Sequence, residues 1–463
     1  MTTITAPKPG ATGMPATDFK PSPYSGPSKE EVLAMRREFL TPALITYYKD
    51  PLMIVQGHMQ WLFDEKGRRY LDMFAGIVTV SVGHCHPKVI EAVRKQNELL
   101  QHTTTIYLHP NIAQFAKKLV STFPKGSGLD KGVCYFTNSG GEANDLAIMM
   151  ARVKTGAFDV IALRNAYHGM SSFTMGLSSL ANWKQPIPHG FGVHHAKLPD
   201  RYRGPYGYDD ADAGKKYAED VLDLIRTGTP GAIAAFIAEP IQGVGGAIEL
   251  PPGYLAEVYK HIRAAGGLCI SDEVQTGFGR TGDAFWGFES VGGPGVVPDM
   301  VTMAKGIGNG TPLGCCVTKP EVAAAMTKRL HFNTYGGNPV SMAQGLATLN
   351  VILEDRVQQR AKDVGAYLLD GLRDLQQRHK IVGDVRGRGL MLGMEIVEDR
   401  TTKAPSAAKC TAIFEKCREL GVLVGKGGLN GNVLRIKPPM CVTREDCGFA
   451  CGVLDAALGA ASV

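Results

Sequence analysis

Asp272 closes the apolar run 268–271. The chain then reads Glu273-Val274-Gln275-Thr276-Gly277-Phe278-Gly279-Arg280-Thr281-Gly282 and, after Pro298-Asp299-Met300-Val301-Thr302-Met303-Ala304, reaches Lys305. A strand-end carboxylate followed by a lysine is the pairing that pyridoxal phosphate chemistry needs. The carboxylate can keep a pyridinium nitrogen protonated so that the ring withdraws electrons, and the lysine amine can bond the cofactor's aldehyde as a Schiff base. Gly277-Phe278-Gly279-Arg280-Thr281-Gly282 also fits GxGxxG, the fingerprint of a nicotinamide dehydrogenase. Its context is poor, because Asp-Glu-Val-Gln-Thr separates the strand from the glycines and Asp283-Ala284-Phe285-Trp286-Gly287 starts no strong amphipathic helix.

Four other places carry groups of chemical interest. In Asn138-Ser139-Gly140-Gly141-Glu142-Ala143-Asn144 a strand meets a helix, and Ser139 with Glu142 has capping-box spacing. A plain helix start explains this, but two glycines also let backbone N–H groups approach a ligand, and a helix N-terminus favours a phosphate. Tyr167-His168-Gly169 follows the run 160–163, where an aromatic could cover a planar ring or simply pack. Glu239 ends the run 233–237, as a solvated cap or as part of a polar network beside a cofactor. Arg435 interrupts the apolar stretch 433–436, either paired to an acid or as a bidentate clamp on a substrate carboxylate. His84-Cys85-His86 lacks the further ligands that a metal shell requires, and no metal is expected there.

These residues need a frame. Short apolar runs at 133–136, 160–163, 233–237 and 268–271 alternate with helical patterns at 141–154, 217–226 and 254–264, which predicts an α/β domain around a mainly parallel sheet. Functional loops are then expected at the carboxyl ends of the strands. From residue 340 the texture changes to helices at 340–354 and 356–378, a strand at 389–396 and helices at 407–419 and 443–458, which predicts a smaller α+β domain.

The 463 residues are 44% hydrophobic and 20% charged, enough for more than one packed lobe. The net charge of +6 is spread without blocks and gives no case for nucleic acid. No run approaches the roughly 18 to 20 apolar residues of a membrane span. The ten cysteines lack metal or disulfide spacing, so buried thiols in a reduced compartment are expected. The first 30 residues, rich in Pro, Thr, Ala, Ser and Gly without an arginine, match an organelle transit peptide in part and a flexible tail equally well.

Taken together, from about residue 40 to the C-terminus, the chain resembles the class III aminotransferases of the fold-type I pyridoxal phosphate group. The signature region matches at Asp272, Glu273, Val274, Gln275, Gly277, Gly279, Arg280 and Lys305. Gln56-Gly57-His58, the stretch 76–87, Asn333-Thr334-Tyr335-Gly336-Gly337-Asn338-Pro339 and 381–387 resemble the branch that works on alanine and glyoxylate. The resemblance implies that Lys305 bonds the cofactor, that Asp272 serves the pyridine nitrogen and Gln275 the phenolic oxygen, and that Tyr167 and Val274 sandwich the ring, with His168 and Glu239 beside it. It further implies that Ser139, Gly140 and Gly141 cradle the phosphate, that Thr334 reaches the phosphate of a neighbouring subunit in a homodimer, and that Arg435 binds the α-carboxylate.

Two departures qualify these expectations. The family usually has Ser or Thr at Gly141, so the backbone must carry more of the phosphate binding. Relatives acting on ω-amino groups place a glutamate at Val244 that can neutralise the arginine. Its absence favours alanine, glyoxylate and pyruvate over an ω-aminotransferase using β-aminoisobutyrate, β-alanine or 4-aminobutyrate. The expected layout is a flexible tail over 1–35, an N-terminal segment over 36–104 packing with the small domain, a large cofactor-binding domain over 105–339 and a small domain over 340–463. The resemblance also suggests a mitochondrial location.

Overall fold

The computed structural model describes residues 13–328 and 330–462. Its largest sheet orders seven strands as Val133–Thr137, Gly314–Thr318, Met300–Met303, Leu268–Asp272, Ala235–Ala238, Val160–Leu163 and Val193–Ala196. Only Gly314–Thr318 runs against its neighbours, and the other pairings are parallel. The α/β architecture with a mainly parallel sheet is therefore as expected. The strands at 193–196, 300–303 and 314–318 add to the four read from the sequence.

Both faces of this sheet are covered, which is why its strands read as unbroken apolar runs rather than as alternating ones. Ile161, Leu163, Phe236, Ala238 and Cys269 turn to one face, against Tyr217, Val221, Leu255 and Val258 of the helices Ala213–Gly228 and Tyr254–Ala264. Val160, Ala162, Ala235, Ile237 and Ile270 turn to the other, against Leu146, Ala147 and Met150 of Gly140–Thr155. Burying each large aliphatic or aromatic side chain contributes roughly 1.5–3 kcal/mol.

A second sheet joins Val382–Arg388, Met391–Asp399, Val433–Ile436 and Gly425–Gly427 in antiparallel order, with the helices Val357–Arg378, Ala407–Glu419 and Arg444–Ala461 nearby. The strands Ile54–His58, Trp61–Asp64 and Arg69–Asp72 form a third sheet, which Val422–Leu423 extends parallel to the last of them. Backbone from the two ends of the chain thus closes one sheet. No helix among the described residues is long and apolar enough to cross a membrane.

The expected flexible tail over 1–35 needs correction in its described part; residues 1–12 lie outside the described residues. From residue 13 onward the chain is tied down. Met14 packs on the core, Arg69 donates to Pro15 O at 2.6 Å, and Phe19 stacks on His58 with ring centroids 4.3 Å apart. The helix Lys29–Phe39 opens with a full capping box between Ser28 and Glu31. A composition of Pro and small polar residues concealed this because the anchors are a few tertiary contacts, not a periodic pattern.

Candidate active site

The parallel strands deliver their chemistry to one edge. Ser139 follows Val133–Thr137, Tyr167 and His168 follow Val160–Leu163, Glu239 follows Ala235–Ala238, Asp272 ends Leu268–Asp272, and Lys305 follows Met300–Met303. All of them line a cavity of about 400 Å³, together with Gly140, Gly141, Val274 and Gln275. This is the carboxyl-end crevice in which α/β sheets bind ligands. A cavity of about 480 Å³ between the helix Lys29–Phe39 and the N-terminal sheet is mostly apolar, and the cluster of titratable groups lies elsewhere.

Asp272 is buried and held from several sides. His168 Nδ1 donates to its Oδ2 at 2.7 Å and Asn144 Nδ2 to the same oxygen at 2.9 Å, while Val274 N reaches Oδ1 at 3.1 Å. Three donors fix where the carboxylate points. Asn144 also donates to His168 O at 2.8 Å, so one amide ties both partners together. His168 is therefore a support for Asp272. Asn144 was quoted from the sequence without a role; its place on the inner face of the helix that Ser139 caps was the available signal.

Glu239 is buried and accepts from Tyr167 N at 3.1 Å and Gly243 N at 2.8 Å. Burial raises its carboxyl pKa, with His168 opposing and Asp272 reinforcing the shift. The half-buried Tyr167 meets Trp183 edge-on at 5.1 Å. Lys305 has φ 51°, a left-handed conformation that L side chains rarely adopt, and such strain gathers at functional sites. Burial lowers its amine to about 8, against Glu239 and Asp272, which raise it, and with Arg435, which lowers it further. An amine tuned to this range can both hold and release a proton near neutral pH.

Ser139 caps the helix Gly140–Thr155 by accepting from Glu142 N at 3.2 Å. The reciprocal half of the capping box is missing, because Glu142 Oε2 accepts from Asn138 N at 2.9 Å instead of from the cap residue. Gly140 is needed where it stands: a Cβ there would lie 2.9 Å from Val274 Cγ2. At Gly141 the nearest atom to a Cβ would be 3.6 Å away, so the site has room for the side chain that this sequence lacks. The helix N-terminus offers backbone donors to an anion.

Two expected site residues stand outside the cavity. Thr334 is exposed, on a segment tied to the helix start by Asn138 Nδ2 to Asn333 Oδ1 at 3.0 Å. Arg435, in the strand Val433–Ile436, is buried; its guanidinium lies 5.0 Å from the Phe74 ring centroid and Nη2 donates to Lys426 O at 2.9 Å. Its Nε and Nη1 are buried without partners among the described residues. Val244 adjoins the same hairpin, its carbonyl accepting from Gly428 N at 3.0 Å.

The glycine-rich loop is not shaped as a dinucleotide turn. Arg280 is buried and donates to Leu390 O and Pro438 O, both at 2.9 Å, and Gly279 N donates to Phe285 O at 2.9 Å. The loop ties the two lobes together. His84 Nε2 pairs with Asp72 Oδ2 at 2.7 Å, while Cys85 is exposed. Lys437, which sequence reading left aside, lies buried between Gln275 Oε1 and Gly243 O at 3.1 Å each.

These residues fit pyridoxal phosphate: an oriented carboxylate, an enclosed amine of lowered pKa, an aromatic wall and a glycine-started helix surround one cavity of suitable size. The family model for class III aminotransferases matches residues 46–458, and the chain belongs to that family. Among its relatives, the mitochondrial alanine–glyoxylate aminotransferase 2 homolog 2 of Arabidopsis thaliana is 53% identical over 442 residues, covering 96% of this chain and 90% of the relative. A phospholyase from Arthrobacter, solved with phosphoethanolamine, superposes with TM-score 0.85 at 34% identity over 92% of this chain and 99% of its own. An amine transaminase from an uncultivated Pseudomonas species, solved in a PLP-bound form, gives TM-score 0.84 at 30% identity over 91% and 98%. The resemblance and fold-type I architecture expected from the motifs are thus borne out. Since one fold serves several reactions, the substrate has to be argued from the site.

Proposed function

We propose that this chain moves the amino group of alanine to glyoxylate, giving pyruvate and glycine, in two half-reactions on bound pyridoxal phosphate. The observation that carries this reading is Arg435: a buried guanidinium with two unpartnered nitrogens, close enough to Lys305 to depress its amine, and with valine rather than an acid at position 244. A buried guanidinium with N–H groups left over suits an α-carboxylate, which both alanine and glyoxylate possess. The name of the Arabidopsis relative agrees with it.

The cofactor supplies an aldehyde to carry the amino group and a ring that withdraws electrons from the reacting carbon. Asp272, steadied by His168 and Asn144, would offer the negative charge that keeps the ring nitrogen protonated. Arg435 holds the donor carboxylate and so aims its α-carbon at Lys305. Lys305 would bond the cofactor's aldehyde at rest, and its Nζ would be the base that takes up and gives back the substrate's α-proton, a role that an amine lowered to about 8 suits. Glyoxylate, which carries the same carboxylate, would occupy the same Arg435 contact when it accepts the amino group.

A panel of donors and acceptors tests the reading. Alanine with glyoxylate is expected to lead, and Arg435→Ala is expected to raise KM for both by ~100-fold or more, the range for losing a charged contact. A faster rate with β-aminoisobutyrate, or an unchanged KM, would overturn it. We also infer a homodimer in which Thr334 serves the partner's phosphate: Thr334 is exposed, Leu330, Phe332 and Tyr335 beside it in the chain are exposed, and the segment that carries the exposed Ile106, Tyr107 and Leu108 meets this one through His102 and Tyr335. A mitochondrial location is proposed on the names of relatives such as the Arabidopsis protein, and import of a fluorescent fusion tests it.

A further inference from the structure

Lys437 is a second lysine at the site, and the reaction derived above gives it no part. It follows the strand Val433–Ile436, its backbone N–H donates to Met73 O at 2.8 Å, and its side chain is wholly buried. Nζ donates to Gly243 O and Gln275 Oε1, both uncharged carbonyls. The charged groups around it are Arg435, Lys305 and Arg280 against Glu239, and burial, then Arg435, push its amine well below the usual lysine range. A lysine in such surroundings is costly to the fold.

Its effect is visible in Gln275. An amide has one carbonyl oxygen and one NH2 group, and with the oxygen turned to Lys437 the NH2 is left for the opposite side. That side is the cavity Gln275 shares with Tyr167, Asp272 and Lys305. The amide packs on the bare backbone of Gly243, where a Cβ would fall 2.3 Å from it. With the amide reversed, the N–H that Lys437 donates to Gln275 Oε1 would lose that acceptor and the carbonyl would turn away from Lys437.

We propose that Lys437 is a positioning residue: it holds the Gln275 amide in the one orientation that offers N–H, not C=O, to the phenolic oxygen of the cofactor ring. The inference rests on the pyridoxal phosphate reading of the cavity. A donor at that oxygen stabilises its anionic form and lowers the pH midpoint of the bound chromophore.

The test compares wild type with Lys437→Met and Lys437→Gln, titrating the visible absorbance of each holoprotein and measuring its cofactor dissociation constant. In Lys437→Met the midpoint is expected to rise by about one unit, a tenfold change, and cofactor affinity to fall severalfold. Lys437→Gln, which keeps a donor, is expected to lie nearer wild type. In a Gln275→Leu background, Lys437→Met is expected to move the midpoint no further. Lys437→Leu serves the same comparison if the methionine variant fails to fold. A changed melting temperature with an unmoved midpoint would mean that Lys437 is merely structural, and would overturn the proposal. A wild type that takes up no chromophore would overturn the cavity reading, and this inference with it.

Discussion

Lys305 joins two conditions that pull against each other, an enclosed position and a group that carries charge in water. Burial lowers its amine to about 8 from the usual 10.5. Below pH 8 the amine is protonated in the folded and the unfolded chain alike, and the folded state bears the full cost of the buried charge. Between 8 and 10.5 the folded chain releases its proton first, so stability rises with pH across that window. Cofactor-free Lys305→Met is therefore expected to melt above cofactor-free wild type at pH 7, by at most ~3 kcal/mol. The gap should close as pH approaches 10.5, and thermal melts of both proteins across the window check it. A gap independent of pH would mean that the amine is not depressed. The strained φ at this residue points the same way, toward a side chain kept for chemistry at the expense of the fold.

At the scale of elements, the loop after Leu268–Asp272 is organised by Glu273. Its Oε1 accepts from Ser271 Oγ and Phe288 N, and its Oε2 from Thr276 Oγ1 and Gly287 N, at 2.6–2.9 Å. Only a carboxylate can accept on both oxygens. Glu273→Gln would turn an NH2 against two donors and is expected to cost about 1–3 kcal/mol, seen as a lower melting temperature, with weaker cofactor binding because Val274 and Gln275 sit on the same loop. Much of this level was legible in advance. Asp272, Lys305, the glycine pair at 140–141 and the strand-helix alternation follow from local patterns, because a strand end, a helix start and a period are written in neighbouring residues. What joins them was not. Asn144 and His168 meet Asp272 across 128 and 104 residues, a juxtaposition that no local window contains. Lys437 read as one more residue after an apolar strand, and the tail before residue 36 read as unstructured because its few anchors lie far along the chain.

For the whole molecule, the exposed apolar residues of the segments 106–108 and 330–335 depart from an ordinary surface. His102 and Tyr335 bring the segments 99–108 and 330–335 together, with rings 5.5 Å apart. If this face joins two copies, Leu108→Asp should yield a monomer by sedimentation, and its affinity for pyridoxal phosphate should fall along with its mass, because the partner's threonine is withdrawn. A monomer with unchanged cofactor affinity would separate assembly from the site. The opposite end of the large sheet has another use. Because every reactive group emerges from the carboxyl ends, the loops that lead into the strands carry none of them. Gly231, Gly266, Gly293 and Gly295 lie in such loops, with positive φ and open space where a side chain would go. A surface linker or a short affinity peptide spliced in at Gly231 or Gly295 is expected to leave turnover intact, making that rim the place to tether this catalyst to a support.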